Sequence, residues 1–284
     1  REQTMVRAQY TDVMVVGAGP AGSLAAVTHA RRGARVVLVE ANPRAAQRFA
    51  GEWIHPAGAR ILEKHALGPV EATAHHHACE GFAVFPDDGT EAIALHYVEQ
   101  QRGFTCEHDA LVGSLRDQAA ATPGVDYRPF TRVVAIDGHT VTLRDEAGRE
   151  HEIHAERIIG ADGRSSIVRK HLYGEREASL VSHMAGLELH DVELPFERHG
   201  HVLLGGPGPI LLYRIGPSAV RACIDIPAVT VSTVYPGASP EQVETEVTDA
   251  IEEAVNSVTG LSELQSTSYE GLSVVMVQFD LEVD

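Results

Sequence analysis

Residues 12–40 read DVMVVGAGPAGSLAAVTHARRGARVVLVE, and their order of strand, glycine turn, helix, strand and acid decides the fold. The apolar run at 13–16 has the composition of a buried parallel strand. Gly17, Gly19 and Gly22 follow it at GxGxxG spacing. The first permits a sharp turn, the second lets the backbone approach a pyrophosphate, and the third lets the next helix pack closely on the sheet. The backbone of Gly17, Ala18, Gly19, Pro20, Ala21 and Gly22 is therefore the expected phosphate cradle, with the first N–H groups of the helix facing the anion. Glu40 closes the second strand, where a carboxylate accepts ribose hydroxyls and disfavours a 2′-phosphate. The tightly held nucleotide is thus FAD or NAD rather than NADP.

The chain has 284 residues, enough for one large or two modest domains. It carries 23 basic and 40 acidic side chains, a formal charge of −17, which argues against nucleic acid or an anionic membrane surface as partner. No apolar run reaches the roughly 18–20 residues needed to span a bilayer, and no signal peptide precedes the first strand. The opening REQTMVRAQY lacks an initiating Met and reads as a fragment edge. Cys79, Cys106 and Cys223 are widely spaced and form no CxxC. That pattern fits packing residues in a reducing cytoplasm.

The charge pattern changes along the chain. Residues 228–284 contain 11 acids and no Lys, Arg or His, against a net charge of −6 for the much longer segment before them. Within this tail, 228–235 alternates as a strand, and Ser239, Pro240 and Gln242 form a capping box at the head of a helix. Val243, Val247, Ile251, Ala254, Val255 and Val258 make an apolar stripe closed by Gly260. Two strands, 261–268 and 272–281, complete a β-α-β-β unit, and Val274, Val275, Met276 and Val277 read as a strand buried on both faces.

A second motif, RIIGADGRSSIVR at 157–169, runs a short strand into Gly160, Asp162 and Gly163 before another helix start. With GAGPAG and Glu40 it resembles FAD-dependent aromatic-ring hydroxylases and squalene-epoxidase-like monooxygenases over residues 12–227. The resemblance implies that Asp162 and Gly163 lie near the flavin, that Arg48 sits beside it as a neutralising cation, and that the backbone around Val134 meets the adenine. An ordinary Asp-Gly turn and a solvated arginine are the plain alternatives for Asp162 and Arg48. Gly51, Trp53 and Gly58 stand where the flavin would be lined. Where many relatives place Arg or Gln at a helix start, this chain has His108 and Ala110. The helix itself is expected at 108–121, with Leu111, Leu115 and Ala119 on one face.

Strands near Val141, Ile153 and Ile158 form a β-meander. Those at 201–204, 210–215 and 220–226 belong to an antiparallel substrate-domain sheet, on which strand alternation lets only one of Tyr213 and Arg214 face a pocket. His75, His76 and His77 do not make a metal site, because consecutive residues of an extended chain diverge and no second cluster has ligand spacing. The expected fold class is α/β: a Rossmann-like FAD-binding domain with a β-meander (1–178), a partial substrate-domain sheet (179–227) and the β-α-β-β unit (228–284).

The family resemblance implies FAD as cofactor and NADPH or NADH as reductant. Dioxygen would then add to the flavin, and the C4a-hydroperoxide would hydroxylate or epoxidise a small, apolar organic substrate. No catalytic side-chain nucleophile and no metal is expected. Geranylgeranyl-reductase-like enzymes share both motifs and remain an alternative. The family's later Gly-Asp-Ala-His-Pro segment has no counterpart here, so weakened FAD retention and little turnover are expected. In its place, VTVSTVYPGASPEQVETEV resembles the first porter subdomain of resistance-nodulation-division efflux pumps. This implies a chimeric junction near 225–229, or a non-catalytic interaction unit joined to a flavoprotein remnant.

Overall fold

A computed structural model describes residues 9–47, 51–67, 76–174, 182–205, 208–227, 229–256 and 261–279. Strand β1 (Gln9–Val16) leads through α1 (Pro20–Ala30) to β2 (Val36–Glu40), then to β3 (Gly51–Ile54) and α2 (Pro56–Lys64). Next come β4 (His76–Cys79), β5 (Gly81–Phe85), β6 (Ile93–His96), β7 (Gly103–Glu107) and α3 (His108–Ala120). Strands β8 (Val125–Pro129), β9 (Arg132–Asp137), β10 (Thr140–Arg144) and β11 (Glu150–Gly160) precede α4 (Ile167–Tyr173). Four further strands follow: β12 (Ser182–His190), β13 (His199–Leu203), β14 (Ile210–Arg214) and β15 (Ala219–Pro227).

The first sheet has the order β8-β2-β1-β11-β10-β9. Its first four strands run parallel, and β9, β10 and β11 form an antiparallel meander at one edge. Both faces of the parallel part are covered, which explains why β1 and β2 read as continuous apolar runs rather than alternating ones. Val13, Val15, Val36 and Leu38 pack with α1 and with Leu111, Leu115 and Ala119 of α3. Met14, Val16, Val37 and Val39 face the meander and Val168.

A second sheet has the order β12-β15-β14-β13-β5-β6, and β3-β7-β4 form a small third sheet. Tyr213 and Arg214 diverge on β14 as alternation requires. The Tyr213 hydroxyl donates to the Gly51 carbonyl at 3.1 Å, while Arg214 pairs with Glu197 at 2.7 Å. Trp53 stacks on Phe82 and meets the Tyr213 ring edge-on.

His201 on β13 is 2% exposed and stacks on Phe85. Its Nδ1–H donates to the His199 carbonyl at 3.1 Å, and its Nε2 accepts the Phe196 N–H at 3.2 Å. Both nitrogens are satisfied only in the neutral ring, since a proton on Nε2 would oppose the Phe196 N–H. Burial lowers the His201 pKa from its usual 6.5; the hydrogen bond to the His199 carbonyl opposes this most, the charge of the His199 ring adds to it, and Glu197 opposes it. The stability contributed by neutral His201 is therefore complete above about pH 6.5 and is lost as pH falls through the depressed folded-state value. Urea midpoints are expected to fall between pH 7 and 5, with a shallower slope in His201→Phe. Identical slopes would contradict this.

The chain divides into two compact units: 1–177 with 186–204 and 210–223, and 178–185 with 205–209 and 224–284. In the second unit, β16 (Val229–Val234), α5 (Pro240–Val243), a π-helical turn (Glu244–Thr248), α6 (Asp249–Asn256), β17 (Leu261–Tyr269) and β18 (Leu272–Phe279) form the β-α-β-β arrangement, with sheet order β16-β18-β17. The capping box at Ser239 and Gln242 is present.

Two details differ from the sequence reading. The π turn adds one residue to the helical repeat, so the position buried after Val243 is Thr248 rather than Val247. Its hydroxyl bonds to those of Ser268 and Ser273 at 2.7 and 2.8 Å. Val275 and Val277 are buried while Val274 and Met276 are only half-buried, so β18 is covered on one face. Of the expected tail residues, Ala228, Val258, Gly260 and Leu281 lie outside the described residues.

Candidate dinucleotide-binding site

The glycine turn joins β1 to α1 with three different geometries. Gly17 has φ +96°, and a Cβ there would lie 2.4 Å from the Ala161 carbonyl oxygen. At Gly22 a Cβ would lie 1.8 Å from the Gly17 carbonyl oxygen, so α1 sits against the turn with no room for a side chain. Gly19 is the opposite case: nothing approaches a Cβ within 4 Å, and its backbone faces open space. The turn is tied to its neighbours by the Gly17 N–H donating to Val39 O and the Ala161 N–H donating to Val16 O. Helix α1 begins at Pro20 after Gly19 and carries no acid in its first turn, so its positive end is left for an external anion.

The space in front of this turn is a cleft of 810 Å³. Gly17, Gly19, Pro20 and Ala21 line one wall, with Glu40, Ala41 and Asn42 at the end of β2 and Asp162 and Gly163 after β11. Ala18 is fully buried beneath the turn. Glu40 is held firmly. Its Oε2 accepts the Ala18 N–H at 2.9 Å, its Oε1 accepts the Asn42 N–H at 2.9 Å, and Arg116 Nη2 lies 3.2 Å from Oε2. The Glu40 carboxylate is thus fixed in orientation by the same turn that fronts the cleft.

Asp162 accepts the Ile167 N–H at 2.7 Å and the hydroxyl of Ser166, which itself caps α4 by accepting the Arg169 N–H at 3.0 Å, so Asp162 completes the capping of that helix while lining the cleft. Asp162→Ala is expected to cost about 1–2 kcal/mol of stability in urea melts by leaving the Ile167 N–H and the Ser166 hydroxyl without their acceptor. An unchanged midpoint would contradict the capping role.

The remaining sequence-derived site residues fall elsewhere. Thr131, Arg132 and Val133 line the cleft, whereas Val134 is not part of its lining. Arg48 and His75 lie outside the described residues. Gly51, Trp53 and Gly58 do not line the cleft; Trp53 borders a separate 180 Å³ cavity with His76, His77 and His199. Among the described residues, no group of three or more His, Cys, Asp or Glu side chains is placed to hold a metal ion. Cys79 and Cys106 are free and buried, and burial pushes both thiols up to about 12.

Sequence reasoning passed over Arg116. It lies four residues beyond Val112 and eight beyond His108, which places all three on one side of α3, and all three line the cleft. A basic residue at that spacing, on the flank of the Leu111 and Leu115 face, was the available signal. His108 Nδ1 bonds to Glu52 Oε1 within the small β3-β7-β4 region.

A parallel sheet, a glycine turn at the head of a helix, and a fixed acid at the end of the next strand define a dinucleotide-binding α/β protein. The chain belongs to the FAD binding domain family, which it matches over residues 10–278. It is 30% identical over 244 residues to the mitochondrial squalene epoxidase 2 of Arabidopsis thaliana, covering 84% of this chain and 42% of that one. To the squalene monooxygenase of Rattus norvegicus it is 28% identical, covering 76% and 39%. The chain therefore spans less than half the length of these relatives.

Among solved structures, p-nitrophenol 4-monooxygenase PnpA from Pseudomonas putida has a TM-score of 0.67 at 18% identity, covering 86% of this chain and 63% of that one. A PqsL mutant from P. aeruginosa has a TM-score of 0.65 at 23% identity, covering 77% and 61%. These similarities establish a flavoprotein fold with an FAD-binding domain. Among the described residues, no helix is long and apolar enough to cross a membrane.

Proposed function

We propose that the protein is an FAD-dependent monooxygenase that takes electrons from NADPH or NADH and inserts one atom of dioxygen into a small, apolar organic substrate. The observation that carries this reading is the cleft itself. Its glycine turn leaves room for a pyrophosphate only at Gly19, and Glu40 is held at its edge by Ala18, Asn42 and Arg116. When bound, the flavin supplies the electron transfer and oxygen activation. The chain's own residues bind and orient it. The head of α1 faces the phosphates, Glu40 receives a ribose hydroxyl, and Asp162 and Gly163 form the opposite wall. Arg48, by resemblance, contributes positive charge near the flavin, and backbone close to Val134 meets the adenine. Three free, buried cysteines support a reducing compartment such as the cytoplasm.

The test is the visible absorbance spectrum of the purified chain before and after adding FAD, followed by removal of free cofactor. A saturable change in the flavin spectrum at one FAD per chain supports the reading, with partial loss on gel filtration expected from the missing Gly-Asp-Ala-His-Pro segment, and a spectrum identical to that of free FAD at every ratio overturns it. A geranylgeranyl-reductase-like activity is the rival. A reductase-like protein from Thermoplasma acidophilum shares the fold, with a TM-score of 0.59 at 18% identity. NADPH-dependent peroxide formation in the absence of substrate would favour the monooxygenase.

For residues 228–284 we propose a relationship to the porter subdomain of efflux transporters, joined near 225–229. Its support is the wording of the segment and its placement within a separate compact unit beginning again at Ile224. A peptide map of the native gene product and one unbroken genomic read across the junction would test it. Contiguity in both would defeat an artefactual splice and leave a native attachment.

A further inference from the structure

The carboxylate of Glu40 offers about four acceptor positions. The Ala18 N–H and Arg116 occupy Oε2, and the Asn42 N–H occupies one position on Oε1. One position is left, whereas a ribose presents two hydroxyls. Glu40 alone therefore cannot receive both as donors without giving up a contact that holds it in place.

Arg116 is the neighbouring group with matching capacity. Its Nε–H donates to the Ala18 carbonyl at 2.7 Å, Nη1 donates to the Pro43 carbonyl at 2.8 Å, and Nη2 donates to Glu40 at 3.2 Å. These bonds use three of the five N–H groups of a guanidinium. The side chain is 13% exposed and lines the same cleft as Glu40. Its plane is fixed by bonds to two backbone carbonyls on different segments, so the remaining donors are pre-oriented rather than free to rotate. A hydroxyl oxygen is an acceptor as well as a donor, and Arg116 can only donate.

We propose that Arg116 is a specificity residue of the nucleotide site. Glu40 accepts one ribose hydroxyl of the adenosine half, and Arg116 donates to the oxygen of the other. The pair thus reads the 2′,3′-diol as a unit. This rests on the adenine-dinucleotide reading above and assigns a residue that the glycine and acid motifs do not include.

The test uses the full chain with ADP, 2′-deoxy-ADP and 3′-deoxy-ADP as probes of the adenosine half, titrated calorimetrically, with FAD as the reference ligand. Wild type is expected to bind ADP about 10- to 100-fold more tightly than each deoxy analogue. Arg116→Gln is expected to lose the preference at one hydroxyl and keep it at the other, and Glu40→Gln to show the converse. Arg116→Lys, which keeps the charge but not the planar fork, is expected to fall between wild type and Arg116→Gln. It also serves should Arg116→Gln fail to fold by circular dichroism.

The proposal is overturned if the arginine variants retain both preferences. It is also overturned if they weaken all three nucleotides equally, which would place Arg116 at the pyrophosphate or in a purely structural role. Wild type that binds FAD yet ignores both deletions sinks this inference alone. Wild type that binds neither FAD nor ADP removes the dinucleotide reading, and the proposal falls with it.

Discussion

Gly22→Ala is expected to abolish detectable FAD uptake, lowering affinity by more than about 1,000-fold, or ~4 kcal/mol. The reason is positional rather than chemical. The added methyl would lie 1.8 Å from the Gly17 carbonyl oxygen and 3.2 Å from the Ala161 side chain, and the first of these atoms belongs to backbone that cannot rotate away. Helix α1 would have to move off the sheet, carrying its N–H groups away from the phosphate position. Overpacking of this kind ordinarily costs about 1–3 kcal/mol, and the closeness of this approach puts the site at or beyond the upper end. Gly19→Ala is the informative partner, because nothing lies within 4 Å of a Cβ there. It is expected to leave the melting temperature of the apoprotein unchanged while weakening FAD. Fluorescence titration and thermal melts of both variants check the pair, and full FAD binding by Gly22→Ala would contradict the proposed seat.

The second large effect is expected at Glu40. Glu40→Gln keeps the size of the side chain but removes the charge that faces Arg116 and replaces one acceptor with a donor. That donor would meet either the Ala18 N–H or the Asn42 N–H, both of which now bond to the carboxylate. Arg116 would keep its bonds to the Ala18 and Pro43 carbonyls yet lose its counter-charge. Loss of a charge-assisted ribose bond together with this local frustration is expected to reduce FAD affinity about 100-fold, or ~2.7 kcal/mol. Stability is expected to fall by less, since both side chains retain some exposure to solvent, at 13% and 16%. A dissociation constant for FAD equal to that of wild type would refute a nucleotide role for Glu40.

Much of the fold was legible because local chemistry and tertiary need coincide in β1, α1 and β2. A strand covered on both faces must be apolar throughout, and a turn crossed by two backbones must be glycine. The meander, helix α3, the antiparallel β13-β14 pair and the β-α-β-β unit were legible for the same reason, whereas the parallel pairing of β13 with β5 makes their sheet mixed rather than antiparallel. The π turn was not, because a helical stripe is read at a constant period and one inserted residue leaves no mark in composition. Thr248 is buried where Val247 was expected because Ser268 and Ser273 satisfy its hydroxyl, a compensation supplied from β17 and β18.

The glycine turn of an FAD-binding domain could be read near the start of this chain without any structure, since the glycine spacing and the acid at the next strand's end are local requirements. What holds that acid depends on how distant helices pack. Arg116 lies 76 residues from Glu40 and reaches it because α3 packs beside α1, bringing its side chain to carbonyls at Ala18 and Pro43. Long-range placement of a single charged side chain has no periodicity to announce it; it follows from which helix the buried Leu111 and Leu115 draw against the sheet.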